Sequence, residues 1–216
     1  MKRYAIYYAP SGAFADAAAA WLGWDVARGV AVDQPDPALA EATADPRKYG
    51  FHATIKAPFR LADGVTGDNL QTAFTALAAR LSPVTLTGLT LLYLDGFLAL
   101  IPTDPSPALQ DMAATIVRDL DPYRAPLNAA ELARRRPETL TTRQRELLAT
   151  YGYPYVFEQF QFHMTLTGRS NDPALRAQAE QHFAGLIPAP LAITDLCLMG
   201  EDDLGRFHLL SRAPLG

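Results

Sequence analysis

The chain has 216 residues, of which 49% are hydrophobic and 19% are charged. This composition excludes an intrinsically disordered chain and supplies enough apolar side chains for a substantial core. The net charge of −4 makes the chain poorly suited to bind bulk nucleic acid, because such binding depends on clustered Lys and Arg. Cys197 is the single cysteine, which excludes an intrachain disulfide and a cysteine-based zinc site.

The start of the chain predicts a strand over residues 2–9, followed by a helix over residues 13–22. No secretory signal precedes this strand, and the alanine-rich helix is too short to cross a membrane and contains Asp16. We therefore expect a cytoplasmic protein that has no membrane partner.

Two short apolar segments, residues 51–55 and 162–166, each contain a histidine with a threonine two positions later. In an extended strand, alternate side chains point to the same face. His52 and Thr54 therefore share one face of the first strand, and His163 and Thr165 share one face of the second. The apolar residues between them occupy the opposite face. This arrangement predicts a single active site that contains two imidazoles.

The same predicted elements follow each of these strands. After the first come a helix over residues 68–81 and strands over 84–94 and 97–101, which a turn at Asp95-Gly96 separates. After the second come a helix over residues 172–186 and strands over 191–199 and 206–211. We interpret this order as a degenerate internal duplication.

Residues 119–154, which we name the Arg-rich insertion, do not fit the duplication. Six arginines and two glutamates give residues 124–145 a net charge of +4, whereas the whole chain carries −4. Asn128 with Glu131 three residues later predicts a helix start, and residues 142–150 predict another helix. Three tyrosines then lead into the second His strand.

Two histidines on opposite sides of a phosphorus centre can divide acid–base work. A neutral imidazole takes a proton from the attacking water, and a protonated one gives a proton to the leaving oxygen; each transfer contributes about 10²–10⁴-fold in rate. The threonine hydroxyls can donate hydrogen bonds to the non-bridging phosphoryl oxygens. None of these steps needs a metal or another cofactor. His182 and His208 lack a threonine two positions later, and we predict structural roles for them.

The paired motifs resemble the two-histidine (2H, LigT-like) phosphoesterase superfamily. Residues 49–61, 131–137 and 160–168 more closely resemble its uncharacterised branch that is encoded with carbon–phosphorus lyase genes of phosphonate metabolism. The resemblance implies an α+β fold of two pseudo-symmetric lobes, whose antiparallel sheets line a central cleft. It also implies one bilobal domain over residues 1–216, with the helical insertion at about 119–154.

The resemblance further implies opening of a cyclic phosphodiester without a metal or cofactor. His52 and His163 would form the acid–base pair, and Thr54 and Thr165 would bind phosphate. Further residues are candidates for binding the substrate: Lys56, Thr167, Tyr49, Tyr155, Arg124, Arg134, Arg135 and Arg136. The arginines would form a lid that grips a second phosphate. The alternatives are a solvated strand-end lysine, a solvated helical face and tyrosines that pack at the rim.

We therefore predict an enzyme that acts on a small phosphorylated sugar or nucleotide, including a phosphoribosyl ester of a phosphonate pathway. One alternative is an RNA 2′,3′-cyclic phosphodiesterase. Another is a non-catalytic module that binds phosphosugars or nucleotides. The sequence leaves open the exact substrate, the direction of ring opening and which histidine is the acid.

Overall fold

The structure is a computed structural model that describes residues 1–216. Its eleven strands are β1 Tyr4–Tyr8, β2 Trp24–Asp25, β3 Val30–Ala31, β4 Ala53–Phe59, β5 Val84–Leu86, β6 Leu89–Leu94, β7 Phe97–Pro102, β8 Met164–Arg169, β9 Leu191–Ile193, β10 Asp195–Glu201 and β11 Phe207–Pro214. Its seven helices are α1 Ala13–Leu22, α2 Leu39–Ala42, α3 Gly67–Ala78, α4 Pro107–Asp119, α5 Ala129–Arg134, α6 Thr142–Tyr151 and α7 Pro173–His182.

Seven strands form one antiparallel sheet in the order β11-β10-β1-β4-β8-β7-β6. The two His strands, β4 and β8, lie side by side at its centre. They are joined at one residue pair, Ala53 with Met164, so the sheet divides there into two lobes. This arrangement confirms the predicted α+β fold with antiparallel sheets on both sides of a centre.

The hairpins are exchanged between the lobes. The hairpin β6–β7 follows β4 in the sequence but pairs with β8, whereas β10–β11 follows β8 and pairs with β1, the neighbour of β4. Strands β5 and β9 pair with each other, with Thr85 opposite Ala192. Ala53 with Met164, and Thr85 with Ala192, are equivalent positions of the predicted duplication. A pseudo-twofold axis therefore passes through both pairs.

One face of the large sheet packs on helices and forms the main core. Phe51 and Ile55 in the first motif, and Phe162 and Leu166 in the second, are buried there as the strand alternation predicts. Each large apolar side chain contributes about 1.5–3 kcal/mol through burial. The other face carries the histidines at the centre of the sheet.

The structure divides two of the predicted strands. Residues 84–94 form β5 and β6, and residues 191–199 lie in β9 and β10. The division arises because the first three residues of each segment pair across the pseudo-twofold axis, whereas the rest join the large sheet.

Helix α4 lies outside the predicted elements, although local signals mark its start. Ser106 accepts a hydrogen bond from the Leu109 amide, and Pro107 occupies the first turn. The buried residues Leu109, Met112 and Ile116 anchor it to the main core.

The Arg-rich insertion is helical, as predicted. The Asn128 side chain accepts a hydrogen bond from the Glu131 amide at 2.9 Å, and the Glu131 carboxylate accepts one from the Asn128 amide at 2.9 Å. This reciprocal capping begins α5, and a similar pair at Thr141 and Gln144 begins α6. None of the helices in the structure has both the length and the apolar character needed to span a membrane.

Candidate active site

Both histidines immediately precede their strands and are held in the same way. His52 Nδ1 lies 2.9 Å from the Gly50 carbonyl oxygen, and His163 Nδ1 lies 2.8 Å from the Gln161 carbonyl oxygen. A carbonyl oxygen only accepts, so each Nδ1 carries a proton and donates it. Each Nε2 is thereby left to take or give a proton.

The surroundings of the two imidazoles differ. His52 Nε2 accepts a hydrogen bond from the Thr54 hydroxyl at 3.0 Å, and its ring stacks on Tyr7 with the centroids 3.7 Å apart. His163 Nε2 forms no hydrogen bond, and the ring of Phe97 lies 5.6 Å away.

Burial shifts the titration of both histidines. It lowers the pKa of His52 from 6.5 to about 4, an effect that the Gly50 carbonyl opposes and the positive charge of His163 reinforces. Burial also lowers the pKa of His163, and the Gln161 carbonyl and the Asp95 carboxylate partly offset this shift. A phosphate anion between the rings would raise both pKa values, because it favours the charged imidazolium.

Two adjoining cavities, each of about 290 Å³, form the cleft around the histidines. One is lined by His163 and Thr54, and the other by His52 and Thr165. Each imidazole thus shares a cavity with the threonine of the opposite strand. Both cavities share two lining residues, Phe97 and Arg169. The structure therefore brings the four predicted catalytic residues together around one cleft.

Arg169 is a site residue that the sequence interpretation missed. It ends β8, its side chain is exposed, and its guanidinium forms no hydrogen bond or ion pair. The signal was available, because Arg169 lies on the same strand face as His163 and Thr165.

Asp95 is a second missed residue, since the sequence assigns it only to the hairpin turn. It lines the cavity of His163, and its carboxylate has no hydrogen-bond or ion-pair partner. The sequence around a turn does not indicate which distant side chains the turn residue will face in the folded protein.

Lys56 does not reach the cleft, although it follows Thr54 by two positions. Its ammonium donates to the Val117 carbonyl at 3.0 Å and to Asp121 at 3.3 Å. Burial lowers the pKa of Lys56 to about 8, and the Asp121 carboxylate opposes that shift. A buried ammonium needs such partners, which the end of α4 and the following turn provide.

Thr167 lines the cavity of His52, but its hydroxyl is used elsewhere. It accepts a hydrogen bond from the Leu98 amide at 3.0 Å and donates one to the Gly168 carbonyl at 2.8 Å. Its buried side chain therefore holds β7 against β8 and has no free donor for a phosphate.

None of the four arginines of the predicted lid lines either cavity. The Arg124 guanidinium pairs with Asp121 through two hydrogen bonds of 2.8 and 3.1 Å. Arg134 and Arg136 are exposed and line neither cavity. Only Arg135 approaches the cleft, with its guanidinium 4.8 Å from the ring centroid of Tyr153, which lines the cavity of His163.

The two predicted tyrosines both line the cleft. Tyr49 lies in the cavity of His52 and stacks on Phe207 with the centroids 5.3 Å apart. Tyr155 lies in the cavity of His163, is 46% exposed, and meets Tyr153 edge to face. They place an aromatic wall in each cavity.

The other two histidines have structural contacts, as predicted. His182 Nε2 donates to the Ala17 carbonyl at 2.8 Å, and His208 Nε2 lies 2.7 Å from the Asp202 carboxylate. Neither residue lines the cleft.

Two solved structures to which the chain is similar are a phosphoesterase and LigT. The chain is 16% identical to the former with a TM-score of 0.49, and the match covers 100% of this chain and 99% of that chain. It is 16% identical to E. coli LigT complexed with 3′-AMP with a TM-score of 0.48, and this match covers 99% and 98%.

Two curated relatives carry the name ribose 1,5-bisphosphate phosphokinase PhnN. The chain is 39% identical to the one from Janthinobacterium sp. (strain Marseille), over 94% of this chain and 48% of the relative. It is 35% identical to the one from Laribacter hongkongensis (strain HLHK9), over 97% of this chain and 51% of the relative. The chain thus spans about half the length of the curated relatives it matches.

A family model described as "Protein of unknown function (DUF1045)" matches residues 54–208. The matched region contains Thr54, both missed residues and the whole second His motif, and it begins two positions after His52. Because it covers more than half of the chain, the protein belongs to the DUF1045 family.

Proposed function

We propose that this protein is a metal-independent phosphoesterase that opens a small cyclic phosphodiester through two-histidine acid–base catalysis. One observation carries the proposal: two imidazoles at equivalent positions have their Nδ1 atoms fixed by carbonyls, and both line one cleft. This arrangement leaves two Nε2 atoms for proton transfer around one substrate.

In the proposed reaction a water molecule attacks the phosphorus atom of the ring. The bond from phosphorus to the water oxygen forms while the bond to one ring oxygen breaks. One Nε2 takes the proton of the water, and the other Nε2 gives a proton to the departing oxygen. Each transfer contributes about 10²–10⁴-fold in rate.

The remaining cleft residues would hold the phosphate. The Thr165 hydroxyl can donate a hydrogen bond to a non-bridging oxygen, and the Thr54 hydroxyl can do so once it turns from His52 Nε2 to the substrate. The unpaired guanidinium of Arg169 lies at the junction of the two cavities. Fixed donors that face developing negative charge stabilise the transition state. A charged donor also forms stronger hydrogen bonds with an anion than a neutral one does.

The names of the relatives and the size of the cleft favour a phosphoribosyl substrate. Hydrolysis of 5-phosphoribosyl 1,2-cyclic phosphate at the bond to O2 gives ribose 1,5-bisphosphate, the compound that the relatives' name contains. Two cavities of about 290 Å³ can accommodate a sugar with two phosphates. The chain has no Walker-type phosphate-binding loop, since none of its three lysines follows a glycine, so we do not assign it the kinase activity.

The test is a turnover screen followed by ³¹P NMR. The substrates are 5-phosphoribosyl 1,2-cyclic phosphate, nucleoside 2′,3′-cyclic phosphates and an RNA oligonucleotide that ends in a 2′,3′-cyclic phosphate. We expect the phosphoribosyl ester to be opened fastest, with the same rate in EDTA. A preference for the oligonucleotide would indicate the RNA enzyme, binding without turnover would indicate a non-catalytic module, and inhibition by EDTA would contradict metal independence.

A further inference from the structure

We propose that Asp95 makes His163 the proton donor of the reaction and leaves His52 as the proton acceptor. This inference rests on the proposed function. The two histidines are related by the pseudo-twofold axis, and this symmetry alone does not say which one is the acid and which one is the base. Asp95 would act as a positioning residue, because it works through His163 rather than on the substrate.

The fold holds Asp95 at the cavity of His163. Asp95 and Gly96 form the two-residue turn of the β6–β7 hairpin, with φ angles of 48° and 84°. This is the left-handed geometry of the favoured hairpin turns. The turn is fixed to the end of β8, because the Gly96 carbonyl accepts a hydrogen bond from the Ser170 amide at 2.7 Å. The hairpin therefore presents an unpaired carboxylate to the cavity that contains His163.

The equivalent hairpin of the other lobe offers no such carboxylate to His52. Asp95 precedes Phe97 by two positions, and the residue two positions before the equivalent Phe207 is Gly205. The three carboxylates at this turn have partners already. Glu201 binds the Arg3 guanidinium through two hydrogen bonds of 2.6 Å, Asp202 lies 2.7 Å from His208, and Asp203 lies 3.6 Å from the Lys2 ammonium.

The other charged and titratable groups around the imidazoles do not reverse the difference between His163, which has a nearby free carboxylate, and His52, which has none. Arg169 lines both cavities and so faces both rings. Tyr153 and Tyr155 line the cavity of His163, and the rings of Tyr7 and Tyr49 lie 3.7 and 6.3 Å from the ring of His52. Asp45 lines the cavity of His52, but the Lys48 ammonium pairs with it at 2.9 Å.

These surroundings determine where the first proton binds. Burial lowers the pKa of His163 while the Asp95 carboxylate raises it, whereas burial and the charge of His163 together lower the pKa of His52 to about 4. The Thr54 hydroxyl lies 3.0 Å from His52 Nε2 and can donate to that nitrogen when the imidazole is neutral. When the pair holds a single proton, that proton therefore lies on His163 Nε2, and His52 Nε2 carries none.

The roles of the two side chains follow from this protonation state. His163 Nε2–H gives its proton to the departing ring oxygen as the bond from phosphorus to that oxygen breaks. His52 Nε2 takes a proton from the water as the new bond to phosphorus forms. The water oxygen remains on the product phosphate, and solvent returns the proton from His52 to His163.

An NMR titration of the whole chain tests the assignment without turnover. The imidazole Cε1–H signals are assigned with His52→Gln and His163→Gln. We expect His163 to become protonated at higher pH than His52, and Asp95→Asn to move the His163 midpoint to lower pH. Asn adopts left-handed φ values readily, so the turn is preserved. Asp111→Asn, an exposed position on α4 outside the cleft, removes the same charge and is expected to leave both midpoints unchanged.

A leaving-group comparison tests the same assignment in the reaction. The two esters are 5-phosphoribosyl 1,2-cyclic phosphate and bis(p-nitrophenyl) phosphate, whose nitrophenolate departs without a proton. We expect His163→Gln to lose about 10²–10⁴-fold on the cyclic ester but less than about tenfold on the nitrophenyl ester. His52→Gln should lose activity on both.

The outcomes separate this inference from the proposed function. Absence of turnover of any phosphodiester by the wild-type chain would overturn the proposed function. Turnover with the reverse leaving-group pattern, or a His52 that is protonated first, would overturn only the assignment of roles. An unchanged titration midpoint of His163 in Asp95→Asn would show that Asp95 does not set the roles of the two histidines.

Discussion

The strands that carry the histidines and the Arg-rich insertion differ in how their polar side chains are held. On the strands, each short side chain has its direction set by the backbone, and the imidazoles are fixed by carbonyls two residues away. In the insertion, the Arg124 and Arg145 side chains turn to a nearby carboxylate or carbonyl, and Arg134 and Arg136 are exposed. Short side chains on a regular strand therefore form the site, whereas long charged side chains mainly support it.

Carboxylate partners neutralise part of the positive charge of the insertion. Arg124 pairs with Asp121, and Arg143 pairs with Glu146 and Glu158. All three carboxylates lie outside residues 124–145, so the net charge of +4 counted for those residues overstates the charge available to a ligand. Five variants or conditions sharpen this contrast, from the largest expected effect to the smallest.

Removal of either imidazole should produce the largest loss. We expect His52→Ala and His163→Ala each to lower kcat/KM on a cyclic ester by about 10²–10⁴-fold, because each removes one proton transfer. The double variant should be little worse than either single one. Thermal unfolding monitored by circular dichroism serves as the control for folding, and near-wild-type activity in either single variant would contradict the mechanism.

The buried contacts of the insertion should affect stability and leave the chemistry intact. Asp121→Ala removes the partner of both Lys56 and Arg124. Loss of one member of a buried ion pair costs about 3–5 kcal/mol in the free energy of unfolding, and we expect the low end because Asp121 is half-buried. Urea unfolding measures the change. An unchanged midpoint would show that these contacts do not stabilise the fold.

Arg169 provides a direct comparison with the insertion. We expect Arg169→Ala to lower kcat/KM by about 10–100-fold, since a hydrogen bond to a charged group contributes about 1.5–3 kcal/mol. Arg134→Ala is the matched control, because Arg134 is equally exposed but lines neither cavity. Equal losses in the two variants would show that general positive charge, and not the position of Arg169, assists the reaction.

The low pKa values of the histidines predict a stability that depends on pH. The folded state binds fewer protons than the unfolded chain between the unfolded value of 6.5 and the folded value of about 4 for His52. The free energy of unfolding should therefore fall as the pH drops through this interval, by at most about 1.4 kcal/mol per pH unit for each histidine. His52→Gln should flatten the dependence in urea titrations, and an equal slope in that variant would contradict the assigned pKa.

Arg135 should show the smallest effect, since it reaches the cleft only through Tyr153. A cation–aromatic contact of this kind contributes about 0.5–1 kcal/mol at an exposed site. We expect Arg135→Ala to change KM by less than about fivefold and to leave kcat unchanged. A loss of kcat/KM as large as that in Arg169→Ala would indicate that the insertion binds the substrate as a lid.

The sequence predicted those parts of the site whose geometry is set by residues adjacent in the chain. Strand alternation placed His52, Thr54 and their counterparts on one face, and the Asp95-Gly96 pair predicted the hairpin. Lys56 obeys the same alternation, but its partners come from α4 and the turn after it, which lie more than sixty residues away in the sequence. The place of Asp95 in the cavity of His163 could not be predicted either, and neither could the division of residues 84–94 and 191–199 into two strands each. Each of these features depends on a neighbour that only the complete fold provides.

The exchanged hairpins make the two halves of the chain depend on each other. Strand β8, from the second half, lies between β4 and β7 of the first, and β1 lies between β10 and β4. A fragment from either half would therefore expose unpaired strand edges that only the other half can fill. A cut between α5 and α6 in the Arg-rich insertion would leave two pieces that are incomplete alone and complementary together. The protein is therefore suited to reconstitution from two separately produced fragments.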